Sequence, residues 1–198
     1  MVSDTLVLGF DTSAAHCAAA LLSGDRIVAS RSEEMGRGQA ERLMPLLQEV
    51  LSEGGAKWRD LARIGVGIGP GNFTGIRISV SAARGLALAL DIPTIGISTF
   101  DVIDHLHGPT CLATVPAPRD QAYVRTPGGA PGLVPLAQTN ANGLAIGLPP
   151  KPELLAQTIA RLAAASRADA PAPAPLYIRP ADAAPARDLP PVILADDA

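Results

Sequence analysis

The sequence has few cysteines, few lysines and no long apolar run, and each shortage argues against a class of protein. Cys17 and Cys111 are its two cysteines, and they stand far apart in apolar, strand-like segments. That separation excludes a CxxC redox centre and a cysteine metal site, so we expect two buried thiols. No uninterrupted stretch of about 18 apolar residues occurs, so we expect no contact with a membrane.

Positive charge is scarce as well. The chain has 198 residues and a net charge of -3, and Lys57 and Lys151 are its only lysines. A protein that holds a nucleic acid by itself usually needs clustered lysine and arginine, so we expect any nucleic acid to be held mainly by another molecule. The first residues, MVSDTLVLGFD, have no basic region before their apolar stretch, which favours a cytoplasmic protein.

The first half of the chain has the patterns of a sheet and a helix. Apolar residues recur at helical spacing over 39–54, and Gly54 and Gly55 end that helix. Two short turns, TSAA and GD, join three predicted strands into an antiparallel meander. These strands are 5–11, 16–23 and 26–32.

A strand, a glycine turn, a helix and a second strand follow over residues 62–98, which is the pattern of a parallel βαβ unit. The fold class is therefore predicted to be α/β. Fifteen of the nineteen prolines come after residue 115, so a long regular sheet is not expected there. The second half is predicted to contain a strand at 121–125, a helix at 152–168 and a Pro/Ala-rich tail at 171–191.

The glycine turn GIGPGNFTGIR, residues 67–77, allows two interpretations. Backbone amides at the start of a helix can hold an anion, although the turn matches neither GxxxxGK[ST] nor GxGxxG. Alternatively, Gly69 and Gly71 adopt positive φ and Gly75 allows close packing. The candidate residues for a nucleotide or anion are Asp11, Thr12, Gly69, Gly71, Asn72 and Thr74.

Asp11 itself has two interpretations. Together with Thr12 and Ser13 it stands at a strand end, where a carboxylate can hold magnesium through water. The interpretation we favour is a turn carboxylate bonded by the neighbouring hydroxyl groups. No GxSxG motif occurs, and we predict no catalytic residue.

The helix predicted over 76–90 is apolar on two sides, so two surfaces must cover it. One is the sheet of its own lobe, and we predict that the other is a helix of a partner protein. Leu46, in the 39–54 helix, lies on the side of Arg42 and Glu49 and adds to this surplus apolar surface. The predicted interface residues are Leu43, Leu46, Leu47, Val50, Arg77, Ile78, Ser81, Ala82, Gly85, Leu86 and Ala89.

Four segments resemble the TsaB (YeaZ) family of bacterial tRNA threonylcarbamoyladenosine synthesis. They are LGFDTSAAHCAAALL, ERLMPLLQEVL, IGVGIGPGNFTGIRISVSAARGLALALDIPTIGIS and PLYIRPADA. The resemblance implies an actin-like, Hsp70-like fold with a complete amino-terminal lobe, residues 1–105, and a reduced second lobe, residues 106–198. It implies a scaffold subunit that binds and activates a TsaD-like threonylcarbamoyltransferase. It also implies a TsaE-like ATPase partner, a homodimer through the same helices, and contact with tRNA only through the complex.

The resemblance also identifies what differs from the catalytic relative, in which an HxxxH metal motif follows the equivalent helix. Here that stretch reads STFDVID and contains no histidine. His105 and His107 follow as HxH, and we expect solvated histidines at a turn rather than a metal site. The resemblance thus implies no metal and no firmly bound cofactor, with ATP and magnesium entering only at the level of the complex. The alternatives are a small actin-like ATPase or sugar kinase, and a metallopeptidase-like hydrolase.

Overall fold

The computed structural model describes residues 5–139, 143–167 and 169–178. Most of the predicted Pro/Ala-rich tail, including residues 179–191, lies outside these ranges.

A five-stranded mixed sheet forms the centre of the first lobe, in the order β3-β2-β1-β4-β5. The predicted meander is confirmed, because β1 pairs antiparallel with β2 and β2 with β3. The predicted parallel pair is confirmed by β4, which lies parallel to both β1 and β5. The strands are β1 Leu6–Asp11, β2 His16–Ser23, β3 Arg26–Glu34, β4 Leu61–Gly67 and β5 Thr94–Ile97.

Helices cover both faces of this sheet. On one face, α1 (Gln39–Glu53) and α2 (Phe73–Leu90) bury the side chains of Leu8 and Phe10 from β1. Val7, which alternation directs to the opposite face, packs beneath α4 (Pro152–Ala165). A short 3-10 turn, Trp58–Asp60, leads into β4.

The helix α4 lies unusually close to the sheet. A Cβ atom at Gly9 would be 2.6 Å from the Ala156 carbonyl oxygen, and one at Gly65 would be 2.7 Å from the Cβ of Ala163. Glycine at both positions therefore permits the contact. This packing corrects the predicted division of the chain, because α4 was assigned to the second lobe and instead completes the core of the first.

The second lobe is a small four-stranded sheet in the order β8-β7-β6-β9. Helix α3 (Thr99–His107) packs Phe100 and Ile103 against it and crosses the predicted lobe boundary at residue 105. The strands are β6 Leu112–Ala117, β7 Gln121–Arg125, β8 Gly132–Pro135 and β9 Ile146–Gly147, with a 3-10 turn at Leu136–Gln138.

The last described segment returns from α4 to the junction of the two lobes. The amide of Leu176 donates to the carbonyl of Ile68, at 2.8 Å, and thereby ties the segment to the glycine turn. Leu176 and Ile178 pack against the apolar cluster of the second lobe. Pro173 packs against Gly96, next to Ile95 of β5.

Candidate functional site

The first hairpin turn encloses the carboxylate of Asp11, which is 1% exposed. Its Oδ2 accepts bonds from the amide and the hydroxyl of Ser13, both at 2.9 Å, and lies 2.7 Å from Nε2 of His16. Because an ionised carboxylate only accepts hydrogen bonds, His16 donates from Nε2. Oδ1 packs against Gly67 and has no hydrogen-bond partner within the described residues. Asp11 is thus the turn carboxylate that we favoured, with His16 as a partner that sequence reasoning missed.

The side chain of Thr12 also makes its contacts within the protein. It is fully buried, and its hydroxyl donates to the carbonyl of Gly75 at 2.7 Å. Neither side chain reaches the surface, so the predicted contact of Asp11 and Thr12 with a ligand finds no support in this arrangement. An enclosed carboxylate with three donors on Oδ2 also does not fit a magnesium nucleotide.

The glycine turn is held against the first hairpin. Gly69 has φ +93°, as predicted, whereas Gly71 does not adopt positive φ. A Cβ atom at Gly71 would overlap with the carbonyl oxygen of Ser13, and one at Gly75 with that of Thr12. Close approach of two backbones is therefore the role of Gly71 and Gly75.

The helix α2 begins three residues earlier than predicted because Asn72 caps it. The Asn72 Oδ1 accepts from the amides of Thr74, at 2.9 Å, and Gly75, at 3.1 Å. The backbone amide of Asn72 donates to the carbonyl oxygen of Ser13. These bonds occupy amides that an anion would need, so the turn has a mainly structural role. Of the six predicted contact residues, Gly71 and Asn72 line a cavity.

That cavity is a cleft of about 1050 Å³ between the two lobes. Ser13 and His16 line it from the first hairpin, Thr99 from α3, and Tyr123 from the second lobe. Six prolines contribute flat apolar walls, namely Pro70, Pro116, Pro118, Pro149, Pro150 and Pro152. The cleft thus has the size and the mostly apolar lining of a small-molecule site.

Arg77 lies at one side of the cleft in an aromatic clamp. Its guanidinium carbon is 3.9 Å from the centre of the Phe73 ring, and its Nε donates to the Tyr177 hydroxyl at 2.9 Å. The Phe73 and Tyr177 rings stack with centroids 4.8 Å apart. The clamp joins the first turn of α2 to the last described segment, a contact between distant residues that no local pattern indicates.

The predicted interface residues of α1 lie in the core instead. Leu43 is 1% exposed, and Leu46, Leu47 and Val50 are fully buried. The prediction that Leu46 adds to the surface is therefore wrong. The physical reason is that this side of α1 faces strand β3 rather than solvent.

Ion pairs between α1 and β3 show this orientation. Arg42 of α1 binds Glu33 of β3 at 2.6 Å and Glu49 at 2.7 Å, while Arg31 of β3 binds Glu53 at 2.9 Å. The hydrogen bond from Arg42 holds the pKa of Glu33 below its usual value. This charged bridge lies along the side of α1 that carries Leu46.

The predicted interface residues of α2 divide into two groups. Ile78, Ala82 and Leu86 are half-buried and pack against the core beside α1, so the chain itself covers part of the side of α2 for which a partner helix was predicted. The exposed group consists of Arg77, Ser81, Gly85 and Ala89.

Two features make the exposed side of α2 unusual. A Cβ atom at Gly85 would meet nothing within 4 Å, so the helix is open there. Leu88 is 87% exposed and was not predicted, although its spacing from Arg84 and Gly85 places it on the same side. We call Arg77, Ser81, Gly85 and Leu88 the α2 stripe.

Three further observations concern the histidines, metal binding and membranes. His105 and His107 lie in the last turn of α3 rather than in a turn before Gly108. Within the described ranges, no three metal-binding side chains come together. Among the described helices, α2 alone is long and apolar enough to cross a membrane by length and composition, with 28% of that window buried.

Comparison with known proteins gives a family match and several relatives. Residues 27–125 match the family model described as TsaD, tRNA N6-adenosine threonylcarbamoyltransferase. A curated relative from Escherichia coli, named tRNA threonylcarbamoyladenosine biosynthesis protein TsaB, is 38% identical over 47% of this chain and 40% of its own length. The chain thus matches less than half of the length of that relative.

Two longer matches cover nearly the whole chain. An uncharacterized protein of Mycobacterium tuberculosis is 30% identical over 93% of this chain and 96% of its own length. A crystal structure from Pseudomonas aeruginosa, of a protein with similarity to peptidase YeaZ, aligns with a TM-score of 0.72 and 26% identity. It covers 88% of this chain and 100% of that one, which confirms the predicted α/β fold with a reduced second lobe.

Proposed function

The chain belongs to the TsaB (YeaZ) family, and from this premise we propose that it is a non-catalytic subunit of tRNA threonylcarbamoyladenosine synthesis. In this role it binds and activates a TsaD-like threonylcarbamoyltransferase, which carries out the chemistry on the adenosine beside the anticodon. A TsaE-like ATPase is the further partner, tRNA is held through the complex, and the cytoplasm is the site of action. A homodimer through the same helix is the state of the free chain.

The observation that carries this proposal is the α2 stripe. Ser81 and Gly85 have small side chains, and Gly85 has open space above it. A second helix can approach such a surface closely. The side chain of Leu88, which is 87% exposed, would then be buried in the interface. Burial of a leucine side chain contributes about 1.5–3 kcal/mol, which favours association.

Charge adds specificity to this surface. Arg84 lies on the exposed side of α2 and forms no ion pair with the residues that the structure describes. A partner helix with acidic residues along its contact face would complement it and would exclude a basic competitor. This complementarity favours a dedicated partner over nonspecific apolar association.

The histidines of the sequence support a scaffold role, because none of them belongs to the metal motif of the catalytic relative. The sequence has three histidines, His16, His105 and His107, and none of them makes an HxxxH motif. His16 is bonded to the enclosed Asp11, and the other two lie at the end of α3. On this proposal the metal chemistry belongs to the TsaD-like partner.

Co-expression with the TsaD-like protein of the same organism tests the proposal. Gly85→Arg places a long side chain on the α2 stripe, and Gly36→Arg is its matched control because Gly36 also has open space around it and no positive φ. Light scattering after gel filtration should show a complex for the unchanged chain and for Gly36→Arg. Gly85→Arg should weaken association about a hundredfold or more, the equivalent of roughly 2.7 kcal/mol.

Activity provides the second measurement. The amount of threonylcarbamoyladenosine formed in tRNA by the reconstituted components should fall with Gly85→Arg and stay unchanged with Gly36→Arg. Unchanged affinity and unchanged product with Gly85→Arg would show that the α2 stripe is not the activating interface.

A further inference from the structure

The interlobe cleft lies outside most of the α2 stripe and has a lining of its own. It encloses about 1050 Å³ and joins residues of both lobes, α3 and the last described segment. Its apolar walls come from prolines and from the rings of Tyr123 and Tyr177, whereas the Phe73 ring already packs against Tyr177 and Arg77. Flat, rigid walls of this kind suit a planar ring, because proline and aromatic faces stack on it without loss of side-chain freedom.

Only one side chain among the cleft-lining residues carries a permanent charge, and that residue is Arg77. Its Nε is bonded to Tyr177, whereas its two terminal nitrogens make no hydrogen bond within the described part of the chain. These nitrogens can therefore bind the paired oxygens of an acid. The amino-terminal end of α2, two turns or less away, adds positive potential to the same side.

His16 supplies a second polar group. The side chain is 6% exposed and lines the cleft. Because Nε2 is bonded to Asp11, the other ring nitrogen, Nδ1, is the polar atom of this side chain that is left for a ligand. Nδ1 has no hydrogen-bond partner among the described residues, so a buried side chain retains an unused polar atom at the cleft.

We propose that the cleft binds a small aromatic acid, a planar ring that carries one carboxylate or phosphate group. Arg77 binds the acid group, the prolines and the two tyrosine rings pack against the planar body, and Nδ1 of His16 forms a hydrogen bond with a polar group of the ligand. The proposal goes beyond the partner function, because it concerns the free chain and does not require a TsaD-like protein.

Three probes with the same ring system but different charge test the role of the acid group. They are 2-naphthoate, 2-naphthyl phosphate and the neutral 2-naphthamide, and their binding is followed by amide NMR shifts of the protein without a TsaD-like partner. We expect at least one acid to bind with Kd below about 1 mM and the amide to bind about tenfold more weakly. The stronger of the two acids identifies carboxylate or phosphate as the preferred group. The shifts should map to Ser13, His16 and Tyr177.

Two variants test the assignment of Arg77. Arg77→Gln should weaken the acids about tenfold and leave the amide unchanged, while Arg84→Gln, on the same helix but outside the cleft, should change neither. Leu148→Glu places a carboxylate on the exposed rim and should weaken the acids by repulsion even where Arg77→Gln disturbs the fold. Equal affinity for acid and amide, shifts outside the cleft, or no binding of either acid overturns the proposal.

Discussion

The Nε2 atom of His16 lies 2.7 Å from Oδ2 of Asp11, and both residues are buried. The two residues flank the first hairpin turn, which also provides the carbonyl oxygens that Gly71 and Gly75 approach. The pair therefore fixes the surface on which the glycine turn and the start of α2 rest. Substitution of either residue should therefore lower the free energy of unfolding.

His16→Ala should lower the free energy of unfolding by about 1–3 kcal/mol, because it leaves the buried Asp11 carboxylate with fewer donors. His105→Ala is the control, since His105 is exposed and surface changes usually stay within about 0.5 kcal/mol. Urea unfolding monitored by circular dichroism measures both. Equal stabilities of the two variants would mean that the His16–Asp11 bond contributes nothing.

Two glycines of the same helix should respond to alanine in opposite directions. Gly75→Ala forces a methyl group into the Thr12 carbonyl and should cost about 1–3 kcal/mol. Gly85→Ala meets open space and should stabilise the chain by about 0.5–1 kcal/mol, because alanine favours the helix. Thermal unfolding of the two variants compares them directly, and destabilisation by both would contradict the packing argument.

The sequence predicted the elements whose signals are local. The strand His16–Ser23 was predicted with its exact ends because a short polar turn precedes it and GD follows it. The start of α2 was predicted three residues late, because the apolar pattern begins after the Asn72 cap and its first turn. Local periodicity thus finds an element more reliably than its first residue.

Predictions failed where the answer depended on distant contacts. Leu46 shares a helix side with Arg42 and Glu49, and only the position of β3 shows that this side is covered. One of the two interpretations of the glycine turn gave Gly71 a positive φ, whereas its constraint is the Ser13 carbonyl of another turn. The aromatic clamp of Arg77 likewise depends on Tyr177, which the chain brings back from beyond α4.

The two leucines of the partner argument can now be separated by experiment. Leu46→Ala should cost about 2–5 kcal/mol of stability, because Leu46 is fully buried. Leu88→Ala should leave stability within about 0.5 kcal/mol, because Leu88 is 87% exposed. If the α2 stripe binds the partner, Leu88→Ala should weaken association about tenfold, measured by calorimetry with the TsaD-like protein. A stability loss with Leu88→Ala would instead place this side chain in the fold.

The pH dependence of stability tests whether the thiol of Cys17 is buried. Burial, with a smaller contribution from Glu33, raises the pKa of this thiol from 9.0 to about 12. Between these values the folded chain keeps a proton that the unfolded chain releases, so stability must fall as pH rises from about 9 towards 12. Cys17→Ala removes this contribution, and its unfolding free energy should fall less steeply over the same range, because lysine and tyrosine titrate equally in both proteins.

Reactivity of the same thiol measures the effect independently. In a Cys111→Ala background Cys17 is the single thiol, and the folded chain should react with a disulfide reagent at pH 8.5 far more slowly than the chain in urea. The raised pKa reduces the thiolate fraction, and burial excludes the reagent, so both causes act in the same direction. Rapid labelling of the folded chain, together with parallel pH curves for the chain with and without Cys17, would mean that this part of the core opens readily.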